Sequence, residues 1–289
     1  MVLNAEIQSP SLENYIRSRS LGEAVAALAG GPKIFSGGTD FYPAHVGKSL
    51  PTRLLDVSAV PEMRGITSTE NELRIGGSTT WTEIATANLP LAFQALQEAA
   101  RQVGSIQVQN RGTIAGNICN ASPAADGIPP LLILNAEVEL TSATGVRRMP
   151  VSAFVTGYRK TALSAGEILS AVFVPVPPAD ARSAFLKLGA RKYLVISIVM
   201  AASLIRKDAT GAIVDARIAV GSASATAQRL DHLERELLAL PKDQLPSSLL
   251  RAEHFASLSP IDDVRATASY RRDAAWQVVA DVLDQAAGR

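Results

Sequence analysis

Cysteine occurs once in the 289 residues, as Cys119, which excludes an intrachain disulfide, a cysteine-based zinc site and an iron–sulfur cluster ligated by this chain alone. Histidine is nearly as scarce. His45, His232 and His254 lie far apart along the chain, without metal-ligand spacing, so no metal centre is expected. Charge of one sign is lacking too: the net charge is +1 with Lys and Arg scattered, which removes the electrostatic case for nucleic acid or an acidic membrane as a partner. No window of about 18 apolar residues could span a bilayer. Met1 to Ser11 carries an acid, Glu6, and polar groups where a signal peptide would have an apolar core, so a cytoplasmic chain is expected. Neither G-x-G-x-x-G nor the lysine of a P-loop occurs, which argues against a Rossmann or Walker nucleotide site.

The composition that remains, 47% hydrophobic and 19% charged, is that of a chain able to build a sizeable core without metal or disulfide help, and its length allows two domains. After an extended start, Ser20-Leu21-Gly22-Glu23 has the form of a capping box before a short helix, and Thr80-Trp81-Thr82-Glu83 repeats it. Strands are expected at Lys33–Phe35, Arg53–Val57, Leu73–Gly77 and Glu167–Val174, with a hairpin of Ala136–Thr141 and Val146–Met149. Helical spacing marks Leu91–Val103, and a short helix is expected at Pro129–Leu134. The proline-rich break from Pro175 to Asp180 places the domain boundary near 176, with residues 1–176 as one domain (lobes of about 1–56 and 57–176) and 177–289 as a second. Beyond the break, Ala184–Leu188, Ile196–Arg206 and Ile213–Gly221 read as a three-stranded antiparallel meander. Helices are expected at Ala227–Leu240, Ser247–Phe255 and about Asp263–Ala287. Strands and helices alternate without the long βαβ period of a doubly wound sheet, so the fold class is α+β. Trp81 and Trp276 fall in helical segments and are assigned to the core.

Two glycine-containing stretches carry the chemistry. Arg111 to Pro130 holds three glycines, three prolines, short hydroxyl and amide side chains and one carboxylate, with no long apolar run. It reads as a loop that brings backbone close to a ligand, the plain alternative being a long surface loop. The other is Ser36-Gly37-Gly38-Thr39-Asp40 at the end of the strand Lys33-Ile34-Phe35. Free backbone N–H groups in such turns can cradle phosphate oxygens.

Taken together, Lys33 to Asp40 and, about seventy residues on, Thr113-Ile114-Ala115-Gly116-Asn117 followed by Ser122 and Asp126 resemble the paired FAD-pyrophosphate motifs of the flavin subunit of molybdenum hydroxylases. This is the xanthine dehydrogenase and carbon monoxide dehydrogenase medium-subunit family. Val103-Gly104-Ser105, Gln109 to Gly112, Pro130-Leu131-Leu132, Ala184 to Lys187 with Arg191-Lys192, and Tyr270-Arg271-Arg272 extend the resemblance over essentially the whole chain. The resemblance implies a two-lobed FAD-binding domain of the vanillyl-alcohol-oxidase type followed by a smaller α+β domain. It implies that Ser36 to Asp40 and Thr113 to Asn117 contact the pyrophosphate region, that Asp126 binds polar edges of the cofactor, and that Val103 and Leu169 pack on it. Lys187 matches a position near the flavin, where a cation favours the reduced anionic form. Tyr193 matches an aromatic against the flavin ring. Where relatives have Gly-Gly in the second motif, this chain has Ala115-Gly116.

The implied activity is that of an oxidoreductase subunit: electrons from molybdenum on a large molybdopterin subunit would pass through two-iron two-sulfur clusters on a small subunit to FAD, then to NAD, oxygen or another acceptor. No side chain is needed as acid or base, so no catalytic residue is named. A stand-alone flavin oxidoreductase and a non-redox nucleotide-binding protein are the alternatives. Cys119, without a partner cysteine or adjacent histidine, reads as a small buried filler.

Overall fold

Very short strands open the architecture. In the computed structural model, which describes residues 14–192 and 194–288, β1 (Tyr15–Arg17), β2 (Lys33–Phe35) and β3 (Leu54–Asp56) form a parallel sheet in the order β1-β3-β2. Helix α1 (Leu21–Ala27) links the first two, and the Ser20 hydroxyl accepts the Glu23 amide to start it. The core under this lobe is thin: Ala24, Leu28, Leu55, Val57, Val60 and Met63, joined by Ile168 from a distant strand. Buried Asp56 closes the lobe by accepting from the Tyr15 hydroxyl and the Ser58 amide. A short helix α2 (Phe41–Ala44) follows β2.

The second sheet is antiparallel. It contains β4 (Ile66–Ser68), β5 (Glu72–Gly76), β6 (Glu137–Ser142), β7 (Gly145–Pro150) and, after a small ribbon of β8 (Val155–Gly157) and β9 (Lys160–Thr161), β10 (Ile168–Pro175). The spatial order is β4-β5-β10-β6-β7. Central β10 reads I-L-S-A-V-F-V, apolar almost throughout, because both of its faces are covered. Helices α3 (Trp81–Thr86), α4 (Gln94–Gln102), α5 (Ile106–Gln109), α6 (Ile114–Asn120), α7 (Ile128–Ile133) and α8 (Val151–Phe154) lie between its strands in sequence. Trp81, Phe93, Leu96, Ile114 and Ile118 are fully buried in the shared core. The expected Thr80–Glu83 capping box is present in both directions.

A third, antiparallel sheet comprises β11 (Arg182–Leu188), β12 (Val199–Lys207), β13 (Ile213–Gly221) and β14 (Gln228–Arg229), in that order. Period-two alternation sends Met200, Ala202 and Leu204 to the core shared with the helices of the second sheet, and Val199 and Ala201 to a separate core under α9 (Asp231–Leu237) and α10 (Ala268–Ala286). Polar ties cross the same junction: Ser183 donates to the Ala92 carbonyl, and Glu98 accepts the Phe185 amide. Lys187 and Ser197, both from this part of the chain, are thereby held against residues of the first glycine-rich half.

The α+β expectation holds, with local corrections. The last sheet has four strands, because Gln228–Arg229 pairs with β13 and shortens the expected helix from Ala227 to Asp231–Leu237. Ser247–Phe255 contains two 3-10 turns, Pro246–Leu249 and Ala252–Phe255, in place of one helix. The last helix begins at Ala268 rather than Asp263. The Asp263 carboxylate takes the Arg265 and Ala266 amides, and Thr267 caps the Tyr270 amide, so the local turn outcompetes the helix and leaves Val264 exposed. Trp276 is not core: it is 38% exposed and stacks on Phe255. Arg111 to Pro130 is not a structureless loop, since α6 and the start of α7 lie inside it and Ala125 to Pro130 are buried.

Candidate functional site

Two stretches that are about seventy residues apart in sequence meet backbone to backbone. A Cβ placed on Gly37 would sit 1.9 Å from the Arg111 carbonyl oxygen, and one on Gly112 would sit 3.3 Å from Thr39 Oγ1. Only glycine permits this approach. Ser36 Oγ lies 3.4 Å from Ser78 Oγ, which ties the first motif to the turn after β5. Gly38 has φ 77°, beneath the Phe35 and Tyr42 rings, and Phe35 also packs edge-on against Phe41. Among the described residues, the N–H groups of Gly37, Gly38 and Thr39 have no acceptor in the protein. Three free amides on a left-handed turn form an anion cradle. Lys33 and Asp40 flank it at the surface, Ile34 is half-buried and Phe35 buried.

The second motif is built differently. Thr113 caps α6 by accepting the Gly116 amide, while the Ile114 and Ala115 amides go to the Thr79 and Gly77 carbonyls and the Asn117 amide to the Thr113 carbonyl. The expected second cradle of free amides is therefore absent, because these donors anchor the helix to the turn after β5. What the motif offers is a side chain. Asn117 Oδ1 is buried without a hydrogen-bond partner, beside the place a Gly127 Cβ would occupy. Buried polar atoms are seldom left so, and one at this point fits an absent ligand donor. Ala115, the departure from Gly-Gly, is half-buried in the helix at no cost in backbone strain. Ile114 and Leu169 are core side chains, and only their backbone can border a ligand. Ser122 accepts the Ala124 amide within its turn.

Beside this motif lies a buried ion pair. Lys187 Nζ is 2.6 Å from Asp126 Oδ2, and both side chains are more than nine-tenths buried. Ser197 Oγ donates to Asp126 Oδ1 at 2.6 Å, and Lys187 also donates to the Gln102 carbonyl at 3.2 Å, next to Val103. Burial pushes the Asp126 carboxyl upward, against the pull of Lys187 and Ser197 in the opposite direction. Lys187 is thus buried and paired, although it stands on the edge strand β11. Sequence reasoning missed Ser197: a lone serine before an apolar strand carries no signal of its own. The position of Tyr193 lies outside the described residues.

Other candidates are less suited to chemistry. Burial pushes the Cys119 thiol up to about 12, so it is not a thiolate. His232 and His254 are not far apart after all: their rings stack edge-on at 5.3 Å, with Glu236 and Glu253 alongside. Arg251 already supplies the cation there, bonding both carboxylates, and its amide occupies His254 Nδ1. A neutral His254 then carries its proton on Nε2, the atom a metal would need, so the cluster is a closed ion-pair network. A concavity of about 350 Å³ lined by Ile128, Ser152, Thr226 and Arg229 includes no residue of Ser36–Asp40 or Thr113–Asn117.

Comparisons with known proteins place the chain in a family. Residues 7–177 match the family described as FAD binding domain in molybdopterin dehydrogenase, and residues 184–286 match the CO dehydrogenase flavoprotein C-terminal domain. The chain is 32% identical over 283 residues to a putative xanthine dehydrogenase FAD-binding subunit of Escherichia coli, covering 94% of this chain and 95% of that protein. It is 30% identical to the carbon monoxide dehydrogenase medium chain of Hydrogenophaga pseudoflava, covering 97% and 99%. A solved carbon monoxide dehydrogenase structure from the same organism superposes with a TM-score of 0.86 at 29% identity, covering 94% and 96%. With the motifs in contact and both halves matched, the chain belongs to the molybdopterin dehydrogenase flavoprotein family, as an FAD-binding oxidoreductase subunit.

Proposed function

We propose that the chain is the electron-transfer flavoprotein of a molybdenum hydroxylase complex, with FAD lying along the contact of the two glycine motifs. The observation that carries this reading is the set of three unbonded amides, Gly37 to Thr39, packed against the motif that holds the unpartnered Asn117 Oδ1. The amides neutralise the diphosphate without a lysine, Asn117 accepts one donor of the cofactor, and Val103 packs against it. Lys187, held by Asp126, places a cation at the flavin end and raises its potential. Bound flavin supplies the conversion between one-electron and two-electron transfer; the protein supplies position and charge.

Electrons arrive from two-iron two-sulfur clusters on a small partner chain, fed by molybdenum on a large one, in the cytoplasm, and leave to NAD, oxygen or another acceptor. The single cysteine supports a partner-held cluster, since this chain alone cannot ligate one. The test is the visible spectrum of the purified chain, with the ligand released by heat and run against FAD and FMN standards, followed by co-purification of partners. Flavin bands and co-elution with FAD are expected. A colourless chain that takes up no added FAD would leave a non-redox nucleotide binder as the better account.

A further inference from the structure

Lysine has three N–H donors, and Lys187 commits two of them, to Asp126 Oδ2 and to the Gln102 carbonyl. Among the described residues the third has no acceptor. On a tetrahedral ammonium its direction is set by the two acceptors already engaged, and Ser197 helps hold one of them in place by donating to the other oxygen of the Asp126 carboxylate at 2.6 Å. Ser197 is in turn held firmly. It is 2% exposed, and the next residue donates its amide to the Leu188 carbonyl at 2.8 Å. The carbonyl of that residue, Ile198, accepts from the buried Arg271, which also binds the Ser222 carbonyl at 3.1 Å and Asp263 at 2.7 Å. The Ser222 amide donates to the Pro123 carbonyl, three residues before Asp126. Arg271 therefore clamps the strand start bearing Ser197 and, through Ser222, the turn leading to Asp126.

From this arrangement we infer that Ser197 is a positioning residue of the cofactor site: by fixing the Asp126 carboxylate, it aims the free N–H of Lys187 at the bound cofactor. Ser203, within the strand β12 that follows Ser197, is fully buried with an unbonded hydroxyl and has no link to the ion pair. The inference rests on the FAD reading above.

The experiment compares the full chain with Ser197→Ala, Ser197→Cys and Ser197→Thr, with Ser203→Ala as control. The readouts are the dissociation constant for added FAD, the midpoint potential of the bound flavin, and the thermal midpoint of the apoprotein. One charge-assisted hydrogen bond corresponds to about a tenfold weakening of FAD binding, expected for Ser197→Ala together with a shifted potential. Ser197→Cys, a weaker donor in the same place, falls between, and Ser197→Thr restores both values. The control leaves both unchanged. Wild-type affinity and potential in a folded Ser197→Ala would overturn the inference, as would equal damage in Ser197→Ala and Ser197→Thr. If the wild-type chain itself takes up no FAD, the FAD reading fails first and this inference fails with it.

Discussion

Ser36–Asp40 and Thr113–Asn117 contain the same kinds of residue, yet the first leaves three amides without acceptors while the second has every amide from Ile114 to Asn117 bonded inside the protein. The difference follows from what precedes each. The first motif leaves a three-residue strand and turns at Gly38 with positive φ before a four-residue helix, so its donors face outward. The second opens a seven-residue helix seated on the Gly77 and Thr79 carbonyls. Glycine content thus announces close approach without saying to what. The first motif packs on the Arg111 carbonyl and keeps three amides unbonded, while the second spends its amides on the protein's own turn.

The sharpest way to break this comparison is Gly37→Val. The new Cβ would meet the Arg111 carbonyl oxygen at 1.9 Å, so the two motifs must separate. Overpacking of this kind costs roughly 2–3 kcal/mol, and FAD affinity should fall by about 100-fold or more, as read by denaturant unfolding and FAD titration. Gly22→Ala, in α1 with no atom nearer than 4.0 Å, should instead stabilise by about 0.5–1 kcal/mol. Asn117→Ala separates binding from scaffolding. It deletes a buried, unbonded oxygen, so apoprotein stability should hold or rise while FAD affinity drops about tenfold. Unchanged affinity would reduce the second motif to scaffold alone.

Thr113→Ala removes the cap on the Gly116 amide and should cost about 1 kcal/mol of unfolding free energy, with Thr113→Ser retaining most of it. The smallest effect concerns acid. Burial works to raise the Glu83 carboxyl, but Arg64 and the Thr80 amide and hydroxyl outweigh it and hold it below its ordinary 4.5. A carboxylate lowered in the folded state contributes stability above its unfolded value and loses it as pH falls through the folded value. Glu83→Gln should therefore flatten the decline in thermal midpoint below about pH 4.5, by about 0.5 kcal/mol or less because the pair is half-exposed.

The longer strands, the Thr80–Glu83 capping box, the Ser20 cap and the contact of the paired motifs were legible because each is written locally, in alternation, in Ser/Thr-x-x-Glu or in glycine at a turn. At Ser20 the box is half made, since Glu23 accepts the Arg19 amide instead of the Ser20 amide. The helix α6 was hidden by its own composition: Ile-Ala-Gly-Asn-Ile-Cys-Asn has low helix propensity, and docking on Gly77 and Thr79 decides its form. Strand β14 was misread for a similar reason, since two residues pair only because β13 offers an edge. The approach of His232 and His254, and the link from Ser197 to Asp126, are products of tertiary packing, and sequence separation gives no hint of either.

The thin lobe of β1, β2 and β3 has a kinetic consequence. Three-residue strands over a core of small and medium side chains have few contacts to lose, so this lobe should open locally at lower free energy than β10 or β12, and its amides should exchange with deuterium soonest among the sheets. It also carries the unbonded amides. A ligand adds its binding free energy to whichever segment must be closed to hold it, so FAD should slow exchange most at β2 and the turn beyond. Cofactor loss would then proceed by breathing of this lobe, leaving the body of the protein intact to take the cofactor up again.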